Sequence, residues 1–134
     1  MHSALLRPPP RVLPANILPD RRHAHAALRR MFARSRRYAM PMSLVRLRLP
    51  PASAEPPRRI FLSRLSGDLR ITDLAWWDQE AEALLVMLEE SHDVGPLLER
   101  WAALARVLRM EVQLAPVQFP RQGATLNALL EALE

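Results

Sequence analysis

The clearest hydrophobic pattern along the chain is helical and begins near residue 21. Apolar or small residues recur there at three- and four-residue spacings, at Ala24, Leu28, Met31, Phe32 and Ser35. This spacing places them on one face of a helix, and Asp20 can cap its start. We predict a helix that runs to about Tyr38. Its opposite face is nearly all arginine, for which a solvated surface is the simplest explanation.

Shorter patterns predict the strands. Four segments are read as strands: 43–49, 74–77, 83–88 and 111–117. The first alternates between two sets of side chains, as a strand with two different faces does. The proline-rich stretch 50–57 is predicted as a loop, because proline cannot continue a helix interior or a central strand. A short helix is predicted to follow it, over about 60–69.

Two further helices complete the predicted order. A helical stripe runs from Val94 to Leu108, and a second amphipathic segment from Leu126 to Leu133 closes the chain after a turn. The order α-β-α-β-β-α-β-α contains both a crossover and a hairpin. It favours an α+β sandwich with one mostly antiparallel sheet flanked by helices. Residues 1–18 are predicted to be a proline-rich tail or linker, and 19–134 a single domain.

Composition narrows the class of protein. The absence of cysteine excludes disulfides and cysteine metal sites, and no apolar run approaches the roughly 20 residues that span a bilayer. A cytoplasmic protein is expected. The net charge of +5 comes entirely from arginine. Arginine suits phosphate or guanine recognition, although a GC-rich genome, which favours arginine codons, is the simpler explanation of the bias. The basic residues are spread over several elements, so no nucleic-acid polymer is expected as a partner.

Four short strings, in order, resemble the GGDEF (diguanylate cyclase) family. Leu18-Pro19-Asp20-Arg21-Arg22 resembles the family's L-P-N-R-R, and residues 33–44 resemble A-R-A-R-R-Y-G-x-P-L-S-L. Residues 83–88 are similar to the strand after the family's signature. Residues 112–130 resemble V-S-I-G-V-A-x-F-P-x-x-G-x-T with its following leucines. The likeness covers about residues 15–134 and implies a nucleotidyl-cyclase/GGDEF-like fold.

Three departures from the family pattern imply that cyclase activity is absent. Arg48 stands where active members carry a magnesium-binding aspartate, and a cation there would repel Mg²⁺. The proline-rich loop replaces the guanine-binding segment. The signature itself reads Gln79-Glu80-Ala81-Glu82-Ala83, so Glu82 is its one surviving acidic group. A single carboxylate cannot organise two-metal phosphoryl transfer, and no metal site is predicted.

The family's RxxD motif survives as Arg70-Ile71-Thr72-Asp73. The resemblance implies that Arg70 contacts a phosphate or a guanine edge of cyclic di-GMP. It also implies that Asp73 accepts hydrogen bonds from the N1–H and N2–H₂ groups of guanine. Arg100 is the candidate for a third contact. Trp77, with Trp76 beside it, could stack on a guanine, although core packing is the commoner role of a strand tryptophan.

The resulting expectation is a cyclic di-GMP receptor that makes no dinucleotide and needs no cofactor. It would signal to a protein partner in a bacterial secretion or polysaccharide-synthesis system, such as exopolysaccharide or cellulose production, as receptors of the PelD or BcsE type do. It could be recruited to a membrane complex, and a homodimer is also expected. The alternative is an interaction or dimerisation module that binds no nucleotide and uses the surface near Trp101 and the loop 50–57. An active cyclase with a relocated site is a third, weaker hypothesis.

Overall fold

The structure is a computed structural model that describes residues 13–38, 40–50, 56–79, 82–89 and 94–119. The described helices are α1 (Arg21–Tyr38), α2 (Pro57–Asp68) and α3 (Gly95–Val107). The described strands are β1 (Ile17–Leu18), β2 (Met42–Arg48), β3 (Leu74–Asp78), β4 (Ala83–Glu89) and β5 (Gln113–Phe119). The helix predicted near the C-terminus lies outside the described residues. None of the described helices is long and apolar enough to cross a membrane.

The strands form one sheet in the order β1-β3-β4-β2-β5. Strand β4 lies between β2 and β3 and is antiparallel to both, so β2 and β3 run in the same direction with β4 inserted between them. Strand β5 pairs antiparallel with the other side of β2, and β1 pairs parallel with β3. The predicted α+β fold with a mostly antiparallel sheet is therefore confirmed.

Several predicted boundaries differ from the structure. Ile17 and Leu18 pair with Ala75 and Trp76, so the sheet includes the last two residues of the predicted tail. Helix α2 begins at Pro57, inside the predicted loop, because proline is favoured in the first turn of a helix, where its missing N–H costs nothing. Strand β5 begins two residues later than predicted. The rest of the predicted loop, 51–55, lies outside the described residues.

Both faces of the sheet are buried. All seven residues of β4 are buried, as are Trp76 and Trp77 of β3. Because neighbouring strand residues point to opposite faces, these two tryptophans enter different cores. Trp76 packs in the cluster that contains the apolar side chains of α1. Trp77 packs in the cluster that contains Phe61 of α2 and Trp101 of α3.

A buried carboxylate fastens the start of α1 to the end of β3. Asp78 is fully buried, and its Oδ2 accepts hydrogen bonds from Arg21 Nε at 2.6 Å and Trp76 Nε1 at 3.1 Å. A buried carboxylate is costly unless it is paired and hydrogen-bonded, and these donors supply that compensation. The helix therefore has a polar anchor at one end, while Leu28 and Phe32 pack along its length.

Asp20 caps the same helix, as predicted. Its Oδ1 accepts the main-chain N–H of His23 at 2.8 Å and lies 2.7 Å from His23 Nδ1. This is the usual bond from an N-cap side chain to the third residue of the helix. The hydrogen bonds from the His23 side chain and main chain hold the pKa of the Asp20 carboxyl below its ordinary value of 3.8.

We expect this cap to make the stability of the protein depend on pH in the acid range. The folded pKa of Asp20 lies below the unfolded value, so its carboxylate stabilises the fold above that value. The contribution is lost as the pH falls through the lowered pKa. Asp20→Asn keeps a capping oxygen without titrating. The Tm of the native protein should therefore fall relative to that of the variant between about pH 5 and about pH 2. A constant difference between the two would contradict the assignment.

Asp78→Ala should destabilise the protein by about 2–4 kcal/mol, because it leaves the buried indole N–H of Trp76 and the guanidinium of Arg21 without this acceptor. Chemical denaturation measures the loss. Glu99→Ala is the matched control, since it removes a carboxylate from the exposed face of α3 and should change the free energy of unfolding by less than about 0.5 kcal/mol. A loss for Asp78→Ala no larger than that for the control would show that the anchor is unimportant.

Candidate ligand-binding site

The predicted RxxD tetrad forms the turn between α2 and β3, where the main-chain N–H of Asp73 donates to the carbonyl of Arg70 at 2.9 Å. The Asp73 carboxylate faces inward and is 2% exposed. Its Oδ2 accepts the main-chain N–H of Arg70 at 2.8 Å, and its Oδ1 accepts the main-chain N–H of Glu89 at 3.1 Å. Asp73 thus closes its own turn and ties it to the end of β4.

The side chain of Arg70 covers this carboxylate and remains open to solvent. Its Nε and Nη2 atoms lie 3.4 Å from the two carboxylate oxygens of Asp73, which is long for charge-assisted hydrogen bonds. Nη2 also donates to the main-chain carbonyl of Glu89. The side chain is 56% exposed. The structure therefore brings Arg70 and Asp73 together, with the arginine outside and the aspartate beneath it.

This arrangement corrects the role expected for Asp73. An acceptor for the N1–H and N2–H₂ groups of guanine must present its oxygens to the ligand. Both oxygens of Asp73 instead bind main-chain N–H groups of the protein, and almost none of the carboxylate reaches the surface. In this structure Asp73 holds the turn, and Arg70 is the part of the motif that a ligand can reach.

Arg100 lies at the same end of the molecule. Its Nη1 is 3.2 Å from Oδ1 of Asp68, the last residue of α2 and two positions before Arg70. The other oxygen of Asp68 accepts the indole N–H of Trp101 at 2.9 Å. Arg100 is 66% exposed, and a guanidinium has five N–H donors, so one contact with Asp68 leaves others for a ligand.

The stacking role predicted for Trp77 is wrong for this structure. Its side chain is 1% exposed and lies in the core between the sheet and helices α2 and α3, so neither ring face can meet a nucleobase. Trp76 is likewise buried, as its alternative core role required. Trp101, which the alternative hypothesis placed near a partner surface, is also fully buried. Alternation along β3 sends both strand tryptophans into cores, one on each face.

The second site of interest is the edge of the sheet near residues 79–83, which correspond to the GGDEF signature. Arg48 at the end of β2 and Glu82 at the hairpin between β3 and β4 line one cleft of about 610 Å³. Arg106, Glu111 and the apolar side chain of Met110 also line it. Within the described ranges, no cluster of three or more histidine, aspartate or glutamate side chains could hold a metal ion.

Two further residues near the turn, Asp68 and Glu89, were not predicted from the sequence. Asp68 pairs with Arg100. The main chain of Glu89 forms hydrogen bonds with Arg70 and Asp73. The carboxylate of Glu89 pairs with Arg34 Nη2 of α1 at 2.9 Å. The predicted hairpin of β3 and β4 could have indicated that Glu89 lies near the turn. Leu74 pairs with Met87, and continuing that register places Glu89 opposite Thr72. No sequence pattern indicated Asp68, because its contacts join two helices that pack in three dimensions.

Comparisons with known proteins agree on the fold. No protein-family model and no curated protein matches the sequence. Among solved structures, a DGC protein from Thermotoga maritima is similar with a TM-score of 0.72 and 13% identity, covering 88% of this chain and 94% of that one. A microbial GGDEF domain in a complex with cyclic di-GMP is similar with a TM-score of 0.64 and 20% identity, over 84% and 78% of the two chains.

A third similar structure is the diguanylate cyclase SiaD of Pseudomonas aeruginosa in complex with its activator SiaC. It has a TM-score of 0.64 and 21% identity, and the match covers 92% of this chain and 56% of that one. Identities of this size establish the fold and nothing finer. The chain has the fold of a GGDEF domain, the nucleotidyl-cyclase-like α+β sandwich.

Asp73→Ala should lower stability by about 1–3 kcal/mol, because it removes the acceptor of two main-chain N–H groups, one of them partly buried. Thr72→Ala is the matched control on the same turn, where the side chain is exposed, and should change stability by less than about 0.5 kcal/mol. Thermal or urea unfolding measures both. If the two variants unfold alike, Asp73 does not hold the turn.

Proposed function

We propose that this chain is a receptor domain that binds cyclic di-GMP at the turn between α2 and β3 and does not synthesise it. The observation that carries the proposal is the exposure of two guanidinium groups: that of Arg70 on the turn, and that of Arg100 on α3, which contacts Asp68 two residues before Arg70. A dinucleotide offers two phosphates and several base acceptors, which arginine forks bind well. The fold adds support, because a similar GGDEF domain was solved with this dinucleotide.

The contacts that a ligand would displace are weak. Arg70 lies 3.4 Å from each oxygen of Asp73, and Arg100 makes a single, exposed contact with Asp68. Exposed ion pairs contribute little free energy, so a bound phosphate can take over these guanidinium groups at small cost. Asp73 would keep its main-chain partners while Arg70 turned outward.

Glu89 supplies a route by which binding would be transmitted. Its main chain contacts both Arg70 and Asp73, and its buried carboxylate pairs with Arg34 of α1. A ligand that draws Arg70 away from the carbonyl of Glu89 would favour one arrangement of this strand end over another. We propose that a protein partner senses the change. SiaD, which has a similar fold, was solved with a protein activator.

The absence of cyclase activity is supported by the edge of the sheet. The cleft there is lined by Arg48 and Arg106 as well as by Glu82 and Glu111. Two guanidinium groups offset the two carboxylates, and a divalent cation is poorly attracted to such a set. The proposed setting is a cytoplasmic domain, recruited through its partner to a membrane complex that makes exopolysaccharide or cellulose. That setting rests on analogy with other receptors of this fold.

Isothermal titration with cyclic di-GMP tests the proposal. The native protein should bind with a Kd in the micromolar range, and Arg70→Ala should weaken binding at least about tenfold, because a charge-assisted contact to phosphate is lost. Arg59→Ala is the matched control, since it removes an exposed arginine from the opposite end of α2 and should leave the affinity unchanged.

The absence of heat with the native protein would remove the receptor hypothesis, and equal weakening by both variants would mean that charge alone is measured. Incubation with GTP and Mg²⁺ should give no cyclic di-GMP. Formation of the dinucleotide would restore the cyclase hypothesis.

A second candidate is an interaction or dimerisation module without a nucleotide. Ile71 at the tip of the turn favours it, because this large apolar side chain is fully exposed between Arg70 and Thr72. If this candidate is correct, the native protein binds no cyclic di-GMP. The variant Ile71→Ser should then lose the self-association or the partner binding of the native protein. Sedimentation velocity of the native protein and this variant provides the comparison.

A further inference from the structure

We infer that the outer face of α1 is a docking surface for an acidic helix of a partner protein. This surface, the basic face, consists of five exposed arginines of that helix: Arg22, Arg29, Arg30, Arg36 and Arg37. The inference goes beyond the receptor role, because it concerns a different surface from the turn between α2 and β3 and requires no bound nucleotide.

The excess positive charge of the whole chain lies on this one helix. Helix α1 contains seven arginines and no acidic residue in its 18 positions. The chain has 19 basic and 14 acidic residues in total, so the remainder carries 12 arginines against 14 acidic residues, a net charge of −2. A general bias toward arginine does not explain this distribution, because it would not remove the acidic residues from one helix alone.

Two of the seven arginines are engaged inside the protein. Arg21 pairs with the buried Asp78, and Arg34 pairs with Glu89. The five arginines of the basic face form no ion pair with any residue that the structure describes, although Arg37 lies over the ring of Tyr38, 5.9 Å from its centroid. The charge of the basic face is therefore left to solvent or to a partner of opposite sign.

The basic face has a regular geometry. Seven residues make nearly two turns of an α-helix, so residues seven apart lie in a row along its surface. Two such rows form the basic face: Arg22, Arg29 and Arg36, and beside them Arg30 and Arg37. The exposed side chains of Ala26 and Ala33 lie between the rows. Neighbouring arginines of a row are thus about 10.5 Å apart along the helix axis, with only methyl groups between the rows.

An acidic helix matches this geometry. A second α-helix repeats its surface at the same interval, so acidic residues seven apart on it meet the arginines of one row. The small alanines allow its backbone to approach closely. Helices α2 and α3 contain one acidic residue each, so among the described helices a second copy of this chain supplies no such row. The occupant that fits is a different protein.

The basic face lacks the features that a membrane or a nucleic acid would use. The large apolar side chains of α1, such as Leu28 and Phe32, are buried against the sheet, so they cannot insert into a lipid surface. Tyr38 is the one exposed aromatic residue of the helix, whereas single-stranded nucleic acids are bound with several stacking side chains. Both kinds of partner are nevertheless included as probes in the experiment.

Fluorescence anisotropy of the full chain with two labelled, stapled helical peptides tests the inference. Both peptides contain the same numbers of glutamates and alanines. One carries its glutamates in two rows at seven-residue spacing, and the other carries them spread around the helix. In about 0.15 M salt, where distant charges are screened, the protein should bind the patterned peptide at least about tenfold more tightly.

Arg29→Glu combined with Arg30→Glu reverses one charge in each row, in the middle of the helix. It should weaken binding of the patterned peptide at least about tenfold, because like charges then face each other. Arg59→Glu combined with Arg64→Glu is the matched control, since it makes the same change of charge at exposed positions of α2, across the sheet. The control should change the affinity less than about threefold.

Arg36→Glu combined with Arg37→Glu should reproduce the loss, and circular dichroism of each variant separates a lost contact from a lost fold. Equal affinity for the two peptides, or equal weakening by the α1 and α2 variants, means that net charge alone is sensed and overturns the inference. Failure to bind either peptide also overturns it. So does tighter binding of a single-stranded oligonucleotide, or of vesicles that contain phosphatidylserine, than of the patterned peptide. None of these results alters the test of cyclic di-GMP binding.

Discussion

Burial of strand β4 along its whole length is the constraint on which this structure depends. A strand buried on both sides needs helices on both faces of the sheet, and α1 covers one while α2 and α3 cover the other. Polar side chains are tolerated inside such a sandwich only where each has partners. The polar groups that remain near the sheet therefore indicate where separate elements are fastened together.

Three carboxylates with almost no exposed surface connect the elements in this way. Asp78 joins the end of β3 to the start of α1, Asp73 closes the turn before β3, and Glu89 pairs with Arg34 on α1. Asp73 and Glu89 are themselves connected through a main-chain hydrogen bond. The candidate ligand-binding turn and helix α1 are thus both in contact with Glu89. Arg70 is therefore connected to helix α1 through the main-chain carbonyl of Glu89 and the ion pair between Glu89 and Arg34.

Local spacing explains why Arg70 and Asp73 lie together, and burial of the sheet explains why Trp77 does not reach the surface. Arg70 and Asp73 are three positions apart on one turn, which is closed by a hydrogen bond from the main-chain N–H of Asp73 to the carbonyl of Arg70. Trp77 was predicted as a residue that could stack on a guanine, yet its side chain is buried. The strand pattern indicates that Trp76 and Trp77 point to opposite faces. It does not indicate that both faces are covered, because coverage depends on distant helices.

The amino-acid sequence by itself determined helices α1 to α3, strands β2 to β5 and their mixed crossover-and-hairpin order, because local periodicity and proline positions encode them directly; it did not indicate β1. It also placed an arginine and an aspartate at one turn. Only the tertiary structure decided which of these two faces solvent. The N–H of Glu89 belongs to a strand 16 residues further along the chain, and its arrival beneath the turn draws the Asp73 carboxylate inward and leaves Arg70 outside.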